Sequence, residues 1–323
     1  MAFSSSLLLK PSLGQIASLS SLWRQHSRYQ GCVGHWLMTE KGGSRLFDLG
    51  GYGNHGTLTA MDPATDWLLG AHGPVLDFDG VDDYVDCGNP ASLQLTKSMT
   101  IATWYKFTGT PPGSDYVLLS KKDQGDSGYT FSGGTVDNGP IQGYIQVAIT
   151  ATTEVLRYST TTLVAGTWYH LCGVYNAVAQ TLSMHLNGVL DNGSLVGTVP
   201  SAQYNPAASV KIGTRTTTSG LFTGQLEDIR IYNRALLASE VLSLYTHPFL
   251  EFGWAARRRF NNIRLVDTYS VNWFLPPSTY QRNMCTAAEF DTLVTGGGFP
   301  APPDADPNWF PESAAGHERS MVE

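Results

Sequence analysis

The chain reads as an all-β protein, a two-sheet antiparallel sandwich with one short C-terminal helix and an extension on either side. Three observations predict this. Apolar residues alternate with period two in several short runs, turn dipeptides separate those runs, and no helical crossover intervenes. With 323 residues, 42% of them apolar and only 15% charged, the chain is long and apolar enough to bury a large core. Its 34 glycines and 15 tyrosines suit short strands joined by tight turns.

Residues 1–30 are rich in Ser and Leu. The spacing of Leu13, Ile16, Leu19 and Trp23 predicts a short amphipathic arm, which needs the body or a partner to dock against. From residue 31 the strand pattern takes over. In MTIATWYKF (99–107), Ile101, Thr103 and Tyr105 share one face, and Ala102 and Trp104 the other. TWYHLCGVY (167–175) and TLSMHL (181–186) read as further strands. Turn signals stand at Asp79-Gly80, Asn187-Gly188, Asp191-Asn192-Gly193 and Ser219-Gly220. One helix is expected over 239–245, with Ser239 as its N-cap, Val241, Leu244 and Tyr245 on one side, and Pro248 beyond its end. Residues 248–295 keep aromatic content around Arg257, Arg258 and Arg259, and predict an ordered extension. Residues 296–323 are rich in Gly, Pro and acid and read as a tail. The organisation is therefore an arm (1–30), a sandwich (31–247), an extension (248–295) and a tail (296–323).

The formal net charge is −7. Residues 1–30 carry +3, the sandwich −7, residues 248–288 +3 and residues 289–323 −6. An acidic body argues against nucleic acid as its ligand. Cys32, Cys87, Cys172 and Cys285 are scattered without metal spacing, which favours buried free thiols over two disulfides. No run approaches the ~18 apolar residues of a membrane helix. The opening MAFSSSLLLKPSLGQ makes a poor secretory signal, because no cation precedes its three leucines.

Several segments of 31–247, taken in order, resemble the laminin-G-like, concanavalin A-like jelly-roll family. They are GHWL (34–37) with FDLGGYGNHG (47–56), LDFDGVDDYV (76–85), MTIATWYK (99–106), GTWYH (166–170), LNG (186–188) and FTGQLEDIRIYNRAL (222–236). Gly50 stands where serine is usual, and Asn187 replaces an aspartate. The resemblance implies a jelly roll. It further implies that the first loop and last strand can share a calcium ion, here through Asp48, Asn54 and Asp228. Oxygen ligands suit Ca²⁺, and two carboxylates imply weak affinity, of order 10⁻⁴–10⁻³ M. The local alternative is that Asp48 caps the glycine loop and Asp228 pairs with an arginine such as Arg230. Trp104 or Trp168 is expected to anchor the space between the sheets, and Phe78 and Tyr84 to pack across the Asp79-Gly80 turn. Asp77, Asp79, Asp82, Asp83 and Asp86 form an acidic concentration that alternation splits between faces, so it reads as a hydrated hairpin rim.

Function is approached by elimination. No G-x-S-x-G is present, and His170 lacks a nucleophile. The glycan hydrolases that share this fold carry alternating carboxylates on one strand, and no such run occurs here. A non-catalytic binding or display module is the expectation, with a glycan hydrolase of unrecognised site as the last alternative. On the first reading it is a structural or decoration-type subunit of a virion or similar surface assembly, contacting other subunits through 1–30 and 248–323. On the second it is a free-standing carbohydrate-binding, lectin-like protein. In either case the fold implies a groove on which Tyr129, Tyr144 and Tyr158 stack against glycans if they face it.

Overall fold

The computed structural model describes residues 10–18, 22–70, 72–108, 115–122, 128–135, 140–215 and 219–252. The chain divides into two compact units, Met1–Arg264 and Leu265–Glu323, and every described residue belongs to the first. Cys285, the three-arginine cluster and the Gly/Pro-rich tail lie outside the described residues.

The strands follow in chain order as β1 (Cys32–Trp36), β2 (Arg45–Leu46), β3 (Gly56–Thr59), β4 (Trp67–Leu69), β5 (Pro74–Asp79), β6 (Tyr84–Asp86), β7 (Met99–Phe107), β8 (Asp115–Lys121) and β9 (Tyr129–Thr135), then β10 (Ile141–Ala148), β11 (Glu154–Ser159), β12 (Tyr169–Asn176), β13 (Thr181–Leu186), β14 (Val189–Leu190), β15 (Asn192–Val196), β16 (Lys211–Ile212) and β17 (Thr223–Tyr232). They form two antiparallel sheets. The eight-stranded sheet runs β14-β13-β12-β7-β17-β5-β4, with β1 also paired to β17. The nine-stranded sheet runs β15-β11-β10-β9-β8-β16-β6-β3-β2. This is the two-sheet sandwich that the alternation and turn signals predict.

The two inner faces bury one continuous core that includes Trp36, Phe78, Tyr105, Phe131, Ile145, Leu171 and Ile231. The sheets approach closely where each contributes a glycine. A Cβ on Gly143 would lie 2.7 Å from Leu171, and one on Gly173 would lie 2.7 Å from Ile145. Asn187 and Gly188 both have positive φ (50° and 79°) and form the two-residue turn between β13 and β14, the geometry that an Asn-Gly pair favours.

Two packing expectations are corrected. The tryptophan between the sheets is Trp36, fully buried and donating from Nε1 to the Asn54 carbonyl at 2.8 Å. Trp104 instead points out of the eight-stranded sheet and stacks on Tyr245, while Trp168 lies under the Lys106 ammonium. Phe78 and Tyr84 do not meet across their turn, because β5 and β6 belong to different sheets. Phe78 packs on Phe222, and Tyr84 lies beneath Lys211.

The outer face of the eight-stranded sheet carries a second apolar layer. Helix α2 (Ala238–Thr246) places Val241 and Leu244 there, beside Ala102, Cys172, Val174 and Tyr232. Its N-cap is Leu237 rather than Ser239, and Glu240 caps it by accepting from the Leu237 N–H at 2.9 Å. The arm joins the same layer. Its helix, α1 (Leu13–Ser18), is shorter than the spacing predicts, and 3₁₀ turns follow at Leu22–Gln25 and Ser27–Tyr29. Ile16 and Tyr29 from the arm, with Phe249 and Phe252 from beyond α2, complete the layer. Cys32, Cys87 and Cys172 are free and buried.

Ion pairs fasten both flanking segments. Lys10 reaches Glu227 at 2.7 Å, and Arg28 reaches Glu251 at 3.1 Å, all nearly or fully buried. Removing one partner of a buried pair typically costs about 3–5 kcal/mol. Trimming to residues 31–247 removes Lys10, Arg28 and Glu251 and leaves Glu227 buried without its lysine. Thermal unfolding should therefore place 31–247 at least about 10 °C below the full chain, whereas residues 10–252 keep most of the full chain's Tm. Equal Tm values for the two trimmed forms would show that the flanking segments add nothing to the sandwich.

Candidate functional site

Asp48, Asn54 and Asp228 all stand close to β1, as the first-loop and last-strand resemblance implies, but they do not form an open ligand set. Asp48 accepts three backbone N–H groups, from His35 (2.9 Å), Gly50 (2.7 Å) and Asn54 (3.0 Å). Asn54 donates to the Val33 carbonyl at 2.7 Å and accepts from the Ser92 hydroxyl at 3.0 Å. Asp228 takes Arg230 Nε and His35 Nε2, each at 2.8 Å. All three side chains are buried, and their oxygens are taken up by donors within the protein. The trio therefore does not fit a calcium ion, and the local hydrogen-bond reading describes the geometry.

The cause lies in β17. Its pairing with β7 shifts register between Glu227 and Arg230, and Asp228 there has φ = 50°. This bulge inserts one residue, so Glu227, Asp228 and Arg230 reach the same outer side while Leu226, Ile229 and Ile231 stay in the core. Arg230 also pairs with Glu251 at 2.8 Å. Burial pushes the Asp228 carboxyl up, but the Arg230 guanidinium and the hydrogen bond from His35 outweigh it and hold the acid well below its ordinary range. Burial and the nearby Arg230 depress His35, so its imidazole stays neutral. Beside this cluster Glu227 accepts from His72 as well as from Lys10. Burial also depresses His170, to about 3, under Trp104. It is a packed residue, as its place on the strand suggests.

The acidic concentration is split as alternation requires. Asp79, Asp82 and Asp83 bring carboxylate oxygens within 4.8 Å of one another in the β5–β6 connection, which is no hairpin because the two strands lie in different sheets; the first two are exposed and Asp83 is buried. Asp83 accepts from the Asp79 N–H at 2.9 Å, and burial with its acidic neighbours raises its carboxyl to about 6.

The tyrosines resolve differently. Tyr129 is corrected to a core residue. It lies on the inner face with Phe131, and its hydroxyl donates to the Leu93 carbonyl at 3.2 Å, so it is not available to a ligand. Tyr144 and Tyr158 lie on the opposite, outer face of the nine-stranded sheet, where Tyr144 is nonetheless buried and Tyr158 half-buried. They face one another across β10 and β11 with ring centroids 5.3 Å apart. Along the same row stand Ser132 on β9 and Val117 on β8. The next row carries Ser120 on β8, Thr130 on β9, Gln146 on β10 and Leu156 on β11. Thr130 and Gln146 are buried, yet Thr130 Oγ1 and Gln146 Nε2 have no hydrogen-bond partner among the described residues. Each such group costs on the order of 1–3 kcal/mol. At one end Asp115 and Arg215 pair at 3.4 Å, close enough for both charges to act on the Tyr144 hydroxyl. The alternation Tyr129-Thr-Phe-Ser132 carried the signal for this polar row: aromatic residues in, hydroxyls out.

Two antiparallel sheets, a buried inter-sheet core and a last strand leading into a short helix define a jelly roll of the lectin and glucanase kind. The chain belongs to that family: residues 79–242, just over half of it, match the family described as Laminin_G_3, the concanavalin A-like lectin/glucanases superfamily. It is 25% identical over 159 residues to the adhesion G-protein coupled receptor V1 of Danio rerio. That match spans 48% of this chain and only 2% of the receptor. Among solved structures, the fold is similar to the binding domain of Paraclostridial Mosquitocidal Protein 1 (TM-score 0.52, 14% identity, 69% of this chain and 53% of that one). It is also similar to domain 4 of AbnA, a GH43 extracellular arabinanase from Geobacillus stearothermophilus solved with arabinotriose (0.50, 18%, 66% and 98%). The receptor-binding domain of botulinum neurotoxin D is a third likeness (0.50, 14%, 69% and 54%). At these identities the likeness shows the fold.

Two measurements check the electrostatics. A calcium site of ~10⁻⁴ M would add about 2.7 kcal/mol at ~10 mM calcium. Calcium should instead leave the Tm within about 1 °C, and a rise of several degrees would return Asp48 and Asp228 to the role of ligands. For Asp83 the folded pKa lies above the unfolded one, so the unfolded chain releases the proton first and stability falls as pH rises from about 3.8 to about 6. Asp83→Asn keeps an acceptor for the Asp79 N–H. It should raise the Tm at pH 8 and leave it unchanged below pH 4; an equal change at both values would contradict the assignment.

Proposed function

We propose that the protein is a non-catalytic glycan-binding module displayed at a surface, with the outer face of the nine-stranded sheet as its binding site. The observation that carries this is the outward polar row on β8 to β11, where buried hydroxyl and amide groups without partners stand beside the Tyr144–Tyr158 pair. Hydroxyl, amide and aromatic ring together match a sugar, which offers hydroxyls at its edges and C–H groups on its faces. The acids on this face, Asp115 and Glu154, are paired with Arg215 and Lys122, an arrangement suited to holding a ligand rather than to general acid and base work. Several of the similar folds are binding domains by description, and the arabinanase domain was solved with a trisaccharide, which agrees with this reading.

The eight-stranded sheet supports the display half of the proposal. Its outer face is closed by the arm and by residues 247–252, so both flanking segments lie on one side and the polar row on the other. Segments leaving that side can join an assembly such as a virion while the binding face points away, in an extracellular setting.

The test is a glycan array with the full chain and with Tyr158→Ala. Binding should be present in the first and weakened roughly threefold to tenfold in the second, the worth of one aromatic contact. An array without any bound glycan would overturn the proposal. For display, the full chain should exceed monomer mass in solution and residues 10–252 should not.

A further inference from the structure

Seven of the eight histidines are among the described residues, and six of those seven stand in one layer. His26, His35, His72, His170, His185 and His247 lie between the outer face of the eight-stranded sheet and the segments that cover it, namely the arm, α2 and residues 247–252. Only His55, against Phe47 in the first loop, lies elsewhere. From this placement we infer that the cover is an acid-released latch: in mild acid the arm, α2 and residues 247–252 part from the eight-stranded sheet while the sandwich beneath stays folded. The opening can stop at the cover because the two apolar bodies are separate. Ile16, Val241, Leu244 and Phe249 pack with the outward Ala102 and Val174, whereas the inter-sheet core lies on the other side of the sheet.

Four of these imidazoles are held in settings that suit only the neutral ring. His170 on β12 lies beneath the Trp104 and Tyr245 rings, with centroids 5.3 and 6.1 Å away, and its Nδ1 has no hydrogen-bond partner among the described residues. Of the charged groups acting on it, Arg230 from β17, Arg28 from the arm and His185 from β13 oppose a proton, and only Asp228 from β17 favours one. His185 stands across from Cys172 and Leu190, bonded to the Cys172 backbone, and its Nδ1 is likewise without a partner. His35 on β1 bonds Asp228 through Nε2 at 2.8 Å and the Tyr29 hydroxyl through Nδ1. Arg230 opposes a proton on it, Glu251 favours one, and the Phe252 ring lies 6.4 Å away. In the arm, His26 Nδ1 accepts the Arg28 N–H at 3.3 Å and caps a 3₁₀ turn, a bond that protonation abolishes; Glu251, Arg28 and Arg230 are the charges around it. Burial lowers all four, His170 to about 3. With the cover lifted each ring returns to about 6.5. The open form therefore takes up protons that the closed form refuses as pH falls below about 6.5, and the closed form loses stability through that window. At pH ~4.5, two units lower, one such histidine shifts the opening equilibrium about a hundredfold.

The experiment is hydrogen exchange on the full chain, read by mass spectrometry from pH ~7.5 to ~4 and corrected for the intrinsic pH dependence of exchange. Peptides from the arm and from 238–252 should lose protection with a midpoint between about pH 4.5 and 6, while β8 to β11 keep theirs. The double variant His170→Gln/His185→Gln should move that midpoint down by at least about half a pH unit, because fewer protons drive the opening. His26→Asn keeps a capping oxygen, and it should move the midpoint in the same direction, so it carries the test if the double variant does not fold. His55→Gln should leave the midpoint where it is. Loss of protection in the cover and in β8 to β11 together would overturn the latch, because acid would then unfold the whole body. A cover that stays protected to pH ~4 would overturn it as well. A midpoint unmoved by either histidine variant would overturn the histidine assignment and leave the carboxylates of the ion pairs as the acid-sensitive groups.

Discussion

The bulge in β17 is the constraint on which the rest of this structure depends. A strand in strict alternation would send Glu227 and Asp228 to opposite faces, one of them into the core. The extra residue, held at positive φ by Asp228, puts Glu227, Asp228 and Arg230 on the same outer side while Leu226, Ile229 and Ile231 remain inside. It also falls where β17 changes partners, from β5 at residues 223–226 to β1 at residues 229–232. One local irregularity thus lets a single strand serve two neighbours and concentrates charge at their junction. That charge is a cost unless it is met, and it is met by residues from far away in the chain. Arg230 and Arg28 share Glu251, His35 bridges Asp228 and Tyr29, and Lys10 and His72 converge on Glu227.

This arrangement makes the two outer faces unlike each other. On the eight-stranded sheet the outward residues are largely apolar or ion-paired within the chain, and α2, the arm and Phe249 and Phe252 lie over them. On the nine-stranded sheet the outward row is hydroxyl, amide and phenol, and several of its polar atoms, Thr130 Oγ1 and Gln146 Nε2 among them, have no partner among the described residues. The chain therefore completes one of its two faces from its own flanks.

Much of the fold was legible in the sequence because it rests on local rules. Period-two runs marked β7, β12 and β13, Asn187-Gly188 marked its turn, and the helix before Pro248 was found to within a residue or two at each end. The tyrosines show where legibility depends on applying the rule fully. Tyr129 alternates with Thr130, Phe131 and Ser132, and Tyr144 with Ile145, Gln146 and Val147. The same pattern that puts Tyr129 in the core puts Tyr144 outside beside polar neighbours. The charge cluster was legible only in part. Asp228 and Arg230 are two residues apart and readable as a pair, but Arg28 and Glu251 are separated by 223 positions. No local pattern announces their contact, nor the bulge that breaks the alternation between Glu227 and Arg230. Asp48, Asn54 and Asp228 each stand close to β1. Their chemistry was decided by backbone N–H groups and by His35, which composition does not reveal.

The charged clamp also explains why the flanking segments belong to the folded unit rather than to its surroundings. Apolar contacts from Ile16, Phe249 and Phe252 would bury area equally well in many positions, because the hydrophobic effect has no direction. A buried ion pair is different: with its partner displaced, the charge left behind has no solvent and no counterion. Lys10 on Glu227, and Arg28 between Glu251 and the carbonyls of Ser243 and His247, admit essentially one placement of each segment. The apolar layer supplies the adhesion and the ions supply the register. That division of labour fixes where both ends of the described chain leave the body, on the side away from the polar row. It is the geometry a module needs if it is to be held from one side and to bind on the other.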